Sequence, residues 1–275
     1  MKQYPRISIV TPSYNQGKYL EQTICSVLEQ NYPNLEYIVI DGGSTDNSVE
    51  IIKKYQKHLA YWVSERDKGQ SHAINKGISV ATGDLFNWLN SDDYLEKGAL
   101  HAVARAYTEN TTAICGFCRT FEDSNPSQST CSRMTVHDFL EKTLVFRNIV
   151  QPSTFLNLRL VKDVGGVNEQ LHYVMDFELW IKIILKEGTK NVKFLDSVLA
   201  NYRLHSTSKG FCEIEHFREE EYALYLSILQ QVLPDSVLIP HLKNLTPIRI
   251  DQRWEISEKI SISNFDLEMK KRFLL

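Results

Sequence analysis

An apolar strand runs straight into two acids in the stretch Leu85-Phe86-Asn87-Trp88-Leu89-Asn90-Ser91-Asp92-Asp93. The apolar part predicts a buried strand, so the acids stand at its carboxyl end, where open α/β sheets bind ligands. Adjacent carboxylates repel each other, and a divalent cation between them and a phosphate relieves that repulsion. The alternative is an acidic cap on a helix predicted from Glu96. The stretch therefore predicts either a metal site or the start of a helix.

Short β-rich runs alternate with helical periods on both sides of this stretch. Such alternation is typical of a parallel α/β sheet covered by helices, so we expect the α/β fold class. The predicted strands are 6–11, 35–40, 60–63, 85–89 and 112–117. The predicted helices are 17–30, 46–55, 70–80 and 96–107.

The second half of the chain is less regular. Residues 119–132 are polar and rich in turn-forming residues, so we expect a surface excursion rather than a domain linker. An extended segment, a turn, a helix and a late strand are predicted at 151–155, 164–166, 176–186 and 192–202. Two helical stretches, 213–232 and 256–275, predict a small C-terminal helical extension.

A second strand end carries polar residues, in the turn Asp41-Gly42-Gly43-Ser44-Thr45-Asp46. The glycines allow a ligand to approach the backbone closely, and Asp46 or Ser44 suits the start of the following helix. The pattern fits a nucleotide site, and it fits equally well an ordinary corner between a strand and a helix.

Composition excludes some classes of protein. The chain of 275 residues has a formal net charge of −3, which provides no global positive field for nucleic acid or an anionic membrane. No stretch reaches the roughly 18 uninterrupted apolar residues of a spanning helix, and no apolar leader follows Met1. We expect a cytoplasmic protein that binds no nucleic acid. Cys115 and Cys118 have the spacing of redox or zinc sites, but no second ligand pair accompanies them, so buried thiols are the favoured interpretation.

The chain resembles the family-2 inverting glycosyltransferases with the GT-A fold over roughly residues 5–210. The matching stretches occur in the family's order, at 8–15, 41–46, 67–70 with 73–77, 81–84, 90–93 and 176–180. The resemblance implies an enzyme that moves a sugar from a nucleoside-diphosphate sugar, with UDP-sugars favoured, to an acceptor hydroxyl with the help of Mg²⁺ or Mn²⁺. It also implies a glycosyltransferase domain at 1–212, with a nucleotide-binding half at 1–118 and an acceptor half at 119–212, followed by the extension at 213–275.

The resemblance implies roles for residues of the first half. Asp41 corresponds to the acid that reads the nucleotide base, and Thr11, Pro12 and Tyr14 correspond to the wall of the base pocket. Arg66 is a cation expected near the diphosphate, with a solvated surface arginine as the alternative. Lys76 is a second cation expected near the diphosphate, with a solvated surface lysine as the alternative.

The resemblance also implies a metal and a base. Asp93 corresponds to the direct metal ligand, and Asp92 to an acid near the ribose and the metal. Asp176, just before an amphipathic helix, is the candidate general base that removes the acceptor proton, with a helix-capping aspartate as the alternative. His205 is a candidate contact to metal or phosphate, and a structural histidine is the alternative.

One position departs from the family's pattern. Where relatives often have an acid, this chain has His72, which either alters donor preference or faces solvent. The resemblance further implies a saccharide or lipid-linked saccharide acceptor, a role in bacterial surface polysaccharide synthesis and a peripheral contact at the inner face of the membrane. The apolar face of the extension, including Phe217 and Leu224, would serve that contact or core or dimer packing. The oligomeric state is left open.

Two other functions are compatible with this fold. One is a non-catalytic sugar-nucleotide-binding subunit, which the intact Asp93 and Asp176 disfavour. The other is a dinucleotide oxidoreductase, but the chain lacks the G-x-G-x-x-G pattern after its first strand.

Overall fold

The computed structural model describes residues 4–123, 125–132, 150–188, 190–206, 208–209, 215–217, 219–221, 223–224 and 227. The strands are β1 Ile7–Ser13, β2 Leu35–Asp41, β3 Tyr61–Ser64, β4 Leu85–Trp88, β5 Tyr94–Leu95, β6 Ala113–Glu122, β7 Asn125–Ser132, β8 Thr154–Asn157 and β9 Val192–Leu204. The helices are α1 Leu20–Leu28, α2 Ser48–Tyr55, α3 Gln70–Val80, α4 Ala99–Ala106, α5 Leu158–Asp163 and α6 Met175–Glu187.

One mixed sheet joins the strands in the order β3-β2-β1-β4-β8-β6-β9-β5, with β7 paired to β6. The pairs β2–β3, β1–β2 and β1–β4 are parallel, as the sequence predicts. The sheet becomes mixed beyond β4, since β8 is antiparallel to both β4 and β6, whereas β9 is parallel to β6. The parallel half aligns the carboxyl ends of its strands, and β9 pairs with β5, the short strand that follows the acid cluster.

Two apolar cores cover the two faces of the sheet. Val10, Phe86 and Trp88 pack with residues of α3, α5 and α6. Ile9 and Leu85 face the other way and pack with residues of α1, α2 and α4. Neighbouring residues of a strand point to opposite faces, so a strand buried on both faces is apolar throughout, as Leu85–Trp88 nearly is. Continuous apolar runs of this kind predict strands directly from the sequence.

The structure corrects several predicted boundaries. The polar excursion at 119–132 is a hairpin, because β6 continues to Glu122 and Asn125–Ser132 pairs back onto it. Residues 151–153 form a 3₁₀ turn before β8, and α5 was not predicted. β7 pairs with β6, and β6 pairs in turn with β9, a strand distant in the chain. No local pattern reveals that distant partner.

The predicted C-terminal extension is described in part. Residues 215–217, 219–221, 223–224 and 227 are helical, whereas the predicted helix at 256–275 lies outside the described residues. The division at 212 therefore stays a prediction. Within the described residues, no helix has the length and apolar character needed to cross a membrane.

Candidate functional site

The polar strand ends converge at one edge of the sheet. Asp41 ends β2 in register with Ser13 of β1, and the amide of Leu89, just after β4, donates to the carbonyl of Val10. The acid cluster after Leu89 therefore lies beside the end of β1. The cluster is separated from α4 by β5, and α4 begins after Gly98 with no side-chain cap. The alternative of an acidic cap on this helix is thus wrong.

Asp92 faces His205 across this edge. The Oδ2 atom of Asp92 lies 3.0 Å from Nε2 of His205, and their side chains are 19% and 7% exposed. The ring of Tyr19 packs against the imidazole at an interplanar angle of 32°, with centroids 4.8 Å apart, which limits how the imidazole can turn. The structure thus brings together two residues that the sequence indicated separately.

Asp93 is fully buried and points into the protein. Its Oδ1 accepts from the amide of Arg203 at 3.0 Å, and its Oδ2 accepts from the side chain of Asn90 at 3.3 Å. Its carbonyl accepts from the hydroxyl of Thr23 at 2.6 Å. Burial first, and then the charge of Asp92, raise the pKa of Asp93 well above its usual value. These contacts tie the acid cluster to β9 and α1, and the predicted role as a direct metal ligand stays a prediction.

Arg203 is the residue that sequence reasoning missed. Its Nε donates to the carbonyl of Asp92 at 2.9 Å, its guanidinium pairs with Asp123, and it donates to Gln22 at 2.5 Å. The guanidinium also lies 4.9 Å from the ring centroid of Tyr19. Its position two residues before His205 was the only signal in the sequence. Arg203 fixes the loop that carries Asp92 relative to the end of β9, which His205 follows.

The Asp41 carboxylate already accepts hydrogen bonds from its own turn and from β3. Its side chain is fully buried and accepts from the amides of Gly43 and Ser44 at 3.1 and 2.9 Å. The hydroxyls of Ser44 and Ser64 donate to it as well, at 2.5 and 2.7 Å. Asp41 therefore shapes the turn in this structure, and its predicted contact with a base would require one of these bonds to be shared or replaced.

The predicted wall of the base pocket is only partly on the surface. Thr11 is buried with its hydroxyl 3.1 Å from that of Tyr37, and Pro12 is buried in β1. Tyr14, just after the strand, is 60% exposed. Of the three predicted wall residues, Tyr14 alone presents a large accessible side chain.

The segment at 65–67 packs directly on the glycine turn. A Cβ atom at Gly42 would lie 2.7 Å from the carboxylate of Asp67, so a larger residue here would displace that carboxylate. Arg66 is exposed and forms no ion pair with any described residue. Lys76, by contrast, pairs with Glu65 at 2.7 Å. Of the two predicted cations, Arg66 is thus the one whose charge is available.

Asp176 lies in the first turn of α6. Its Oδ1 accepts from the amide of Phe177 at 2.8 Å, and burial raises the pKa of its carboxyl to about 6, with amide bonds opposing the shift. The hydroxyl of Tyr202 lies within the electrostatic influence of Asp93, Asp92 and Asp176. After burial, those three carboxylates raise the pKa of Tyr202. The charges of Asp92, Asp93 and Asp176 thus all act on one residue, Tyr202.

A chain of polar contacts links the acid cluster to the backbone at His172. Asn90 accepts from Gln70 at 2.8 Å, and Lys209 donates to Gln70 at 3.3 Å and to the carbonyl of His172 at 3.0 Å. His72, the departure from the family's pattern, accepts from the amide of Lys68 at 3.3 Å and so caps the loop before α3. Its effect on the donor stays a prediction.

The pair Asp92 and His205 has the chemistry of a small metal site. Among the described residues, no group of three or more His, Cys, Asp or Glu side chains could hold a metal, so a cation here would take its other ligands from a substrate or from water. Cations held by few protein ligands and by substrate phosphates are common in phosphate chemistry. A carboxylate suits Mg²⁺ or Mn²⁺, and an imidazole is a transition-metal ligand, so the mixed pair fits Mn²⁺ better than Mg²⁺. Cys115 and Cys118 are buried, as expected.

Comparison with known families and proteins identifies relatives of the chain. The family profile described as Glycosyl transferase family 2 matches residues 8–162. An uncharacterised glycosyltransferase of Rickettsia felis is 27% identical over 244 residues, which cover 85% of this chain and 40% of that protein. The chondroitin synthase of Pasteurella multocida is 26% identical over 223 residues, 80% of this chain and 23% of that protein. The chain thus spans less than half the length of these two relatives.

Solved structures share the fold. TarS of S. aureus, residues 1–349 in complex with UDP-GlcNAc, superposes with a TM-score of 0.62 at 19% identity and covers 86% of this chain and 69% of that one. The mannosyltransferase PcManGT from Pyrobaculum calidifontis, in complex with GDP-Man and Mn²⁺, gives a TM-score of 0.61 at 18% identity, covering 88% and 69%. At these identities the likeness shows the GT-A fold alone.

Proposed function

Because the chain belongs to glycosyl transferase family 2, we propose that it is an inverting, metal-dependent glycosyltransferase. It moves a sugar from a nucleoside-diphosphate sugar, with a UDP-sugar favoured, to the hydroxyl of a saccharide or lipid-linked saccharide. One observation carries the proposal. The Oδ2 atom of Asp92 lies 3.0 Å from Nε2 of His205, and Asp176, with a pKa raised to about 6 by burial, acts together with Asp92 and Asp93 on Tyr202 through its charge.

Asp176 is the general base of the proposed reaction. The acceptor oxygen attacks the anomeric carbon from the face opposite the diphosphate, and its proton passes to the Asp176 carboxylate. The bond to the diphosphate breaks and its electron pair leaves with the diphosphate, so the configuration inverts. A base with a pKa of about 6 is deprotonated at pH 7 and still a better proton acceptor than an ordinary aspartate.

Asp92 and His205 hold the metal in this proposal. The accessible edge of Asp92 and its pairing with the imidazole support this assignment over Asp93, whose oxygens bond Arg203 and Asn90. A bound Mg²⁺ or Mn²⁺ would supply Lewis-acid stabilisation of the charge that develops on the leaving diphosphate. Asp93 then holds the loop of Asp92 in place, and Arg66 contacts the diphosphate directly.

The relatives support the choice of donor and metal. The TarS structure carries UDP-GlcNAc, and the mannosyltransferase structure carries GDP-Man and Mn²⁺. The chondroitin synthase relative supports a role in bacterial surface polysaccharide synthesis. In this proposal, Asp41 recognises the nucleotide base of the donor, together with Tyr14 and the backbone of Thr11 and Pro12.

A donor-hydrolysis screen tests the proposal. UDP-GlcNAc, GDP-mannose and a dTDP-sugar would each be incubated with the chain, with Mn²⁺ or with EDTA. We expect hydrolysis of at least one donor only with Mn²⁺, and its loss in Asp176→Asn. Asp163→Asn is the matched control, because that aspartate is 44% exposed and pairs with Lys186 on the surface. Absence of hydrolysis with every donor would contradict the proposal.

The non-catalytic alternative makes a different prediction. A sugar-nucleotide-binding subunit would bind UDP with Mn²⁺ but hydrolyse no donor, and Asp176→Asn would leave binding unchanged. The raised pKa of the buried Asp176 carboxyl supports a catalytic role over that alternative, because such shifts are frequent at catalytic sites.

A further inference from the structure

The main chain just before Asp176 is held by a residue from far along the sequence. The amides of His172, Tyr173 and Val174 all donate to the carboxylate of Glu220, at 2.8, 2.6 and 3.0 Å. Consecutive amides that point at one site form a concave binding site for negative charge. Glu220 also lies at the positive end of α6, where a carboxylate is stabilising. The carboxylate therefore satisfies this turn of backbone from outside its own segment.

Glu220 is itself held against α6. Phe217 and Leu224 lie on the same helical face as Glu220, three residues before it and four after it. Leu224 is buried with Val174, Phe177 and Ile181, and Phe217 packs against this cluster. The ring of Phe217 also lies 4.9 Å from that of Tyr173. The helical residues of the C-terminal segment thus place the carboxylate by apolar packing on both sides of it.

The opposite side of the same segment is tied to the acid cluster. The hydroxyl of Ser71 donates to the carbonyl of Leu171 at 3.0 Å, and Lys209 donates to the carbonyl of His172 at 3.0 Å. Lys209 also reaches Gln70, which bonds Asn90. Hydrogen bonds therefore link the turn at 171–174 to the acid cluster on one side and to Glu220 on the other. Asp176 lies two residues after this turn.

We propose that Glu220 is a positioning residue that holds the 172–174 backbone and thereby orients Asp176 for catalysis. The described helical residues around Glu220 are then part of the catalytic unit. Glu220 acts through the main chain, because it touches neither Asp176 nor the acid cluster in any described contact. The inference rests on the proposed role of Asp176 as general base.

Kinetics of three variants test the proposal. Glu220→Ala removes all three acceptor bonds, Glu220→Gln keeps one carbonyl acceptor, and Glu219→Ala changes the exposed neighbouring glutamate as a matched control. We expect Glu220→Ala to lower the turnover of donor hydrolysis about 10- to 100-fold, since small misplacements of a catalytic group have effects of this size. UDP–Mn²⁺ affinity should stay within about twofold. Glu220→Gln should lie between Glu220→Ala and the wild type, and Glu219→Ala should match the wild type.

Hydrogen exchange gives a readout that is independent of activity. In Glu220→Ala, the amides of 172–174 should exchange roughly tenfold faster or more, with little change in the core strand β1. If Glu220→Ala does not fold, the turnover and the amide exchange at 172–174 are compared between Glu220→Gln and the wild type, and equal values overturn the inference. Wild-type turnover in a folded Glu220→Ala, equal loss of turnover and donor affinity, or unchanged exchange at 172–174 overturns the inference. A wild-type chain that hydrolyses no donor defeats the proposed function, and the exchange result alone then decides whether Glu220 anchors this turn.

Discussion

The imidazole of His205 lies 3.0 Å from the carboxylate of Asp92, although the two residues are 113 positions apart in the chain. The contact exists because β9 pairs with β5, the short strand after the acid cluster, and Arg203, two residues before His205, bonds the carbonyl of Asp92 at 2.9 Å. The pairing turns a strand end with two adjacent acids into a site with one accessible acid and one buried acid.

The two acids should respond differently to the same substitution. Asp92→Asn removes a charge from the proposed metal pair, so we expect a loss of UDP–Mn²⁺ affinity of about 100-fold or more. Asp93→Asn should retain affinity within about tenfold, because Asp93 is buried against Arg203 and Asn90 and an asparagine oxygen can still accept from the amide of Arg203. Calorimetry with UDP and Mn²⁺ measures both. The reverse order of effects would restore Asp93 as the direct ligand.

Activity should fall in mild acid. Because Asp176 must be deprotonated to accept the acceptor proton, turnover should decrease below its pKa of about 6. Asp176→Asn should lower turnover by about 100- to 10,000-fold and abolish this acidic limb. A pH profile of donor hydrolysis between pH 5 and 8 measures the limb. A limb that persists in a residual activity of Asp176→Asn would assign the titration to another group.

The same pKa has a consequence for stability. The folded carboxyl titrates near 6 rather than 3.8, so between about pH 4 and 6 the folded state holds more protons than the unfolded state. Stability therefore falls as the pH rises through this window, by up to about 3 kcal/mol for a shift of roughly two units. Asp176→Asn should be more stable than the wild type at pH 8 and not at pH 4. Denaturant titrations at both values measure the difference, and an equal difference at the two values contradicts the prediction.

The two predicted cations should differ in donor binding. Arg66 is exposed and its charge is unpaired within the described residues, so Arg66→Ala should weaken UDP–Mn²⁺ binding about tenfold. Lys76 is paired with Glu65 at 2.7 Å, so Lys76→Ala should change binding less than about twofold. The effect of Arg66→Ala should shrink at high salt. Equal effects of the two variants would remove the assignment of Arg66 to the diphosphate.

Removing the Arg203 side chain should lower the free energy of unfolding more than removing the side chain of Arg119. Its side chain is 8% exposed and pairs with Asp123, so Arg203→Ala should lower the free energy of unfolding by about 3–5 kcal/mol. Arg119, 38% exposed and paired with Glu96, is the matched control, and its substitution should cost less than about 1 kcal/mol. Urea denaturation compares them. A small loss in Arg203→Ala would mean that the loop of Asp92 is held by its other contacts.

Much of the first half could be predicted from local pattern. The helix predicted at 70–80 is observed as Gln70–Val80, and the strand predicted at 35–40 is observed as Leu35–Asp41. These elements bury a regular apolar face, which shows in their sequence. The hairpin at Ala113–Glu122 and Asn125–Ser132 was not predictable in the same way. Its second strand is polar, and its stability comes from pairing with β6, itself paired with β9.

The sequence by itself determined which residue types stand at the strand ends, that the family is glycosyl transferase family 2, and that Asp92, Asp93, Asp176 and His205 are candidates. The tertiary structure alone decided that Asp92 pairs with His205, that Asp93 turns inward, and that Arg203 and Glu220 hold the two halves of the site. The physical reason is that burial, pKa and hydrogen-bond partners depend on which distant segments the sheet order brings together. Apolar periodicity reports only the face that a single segment buries.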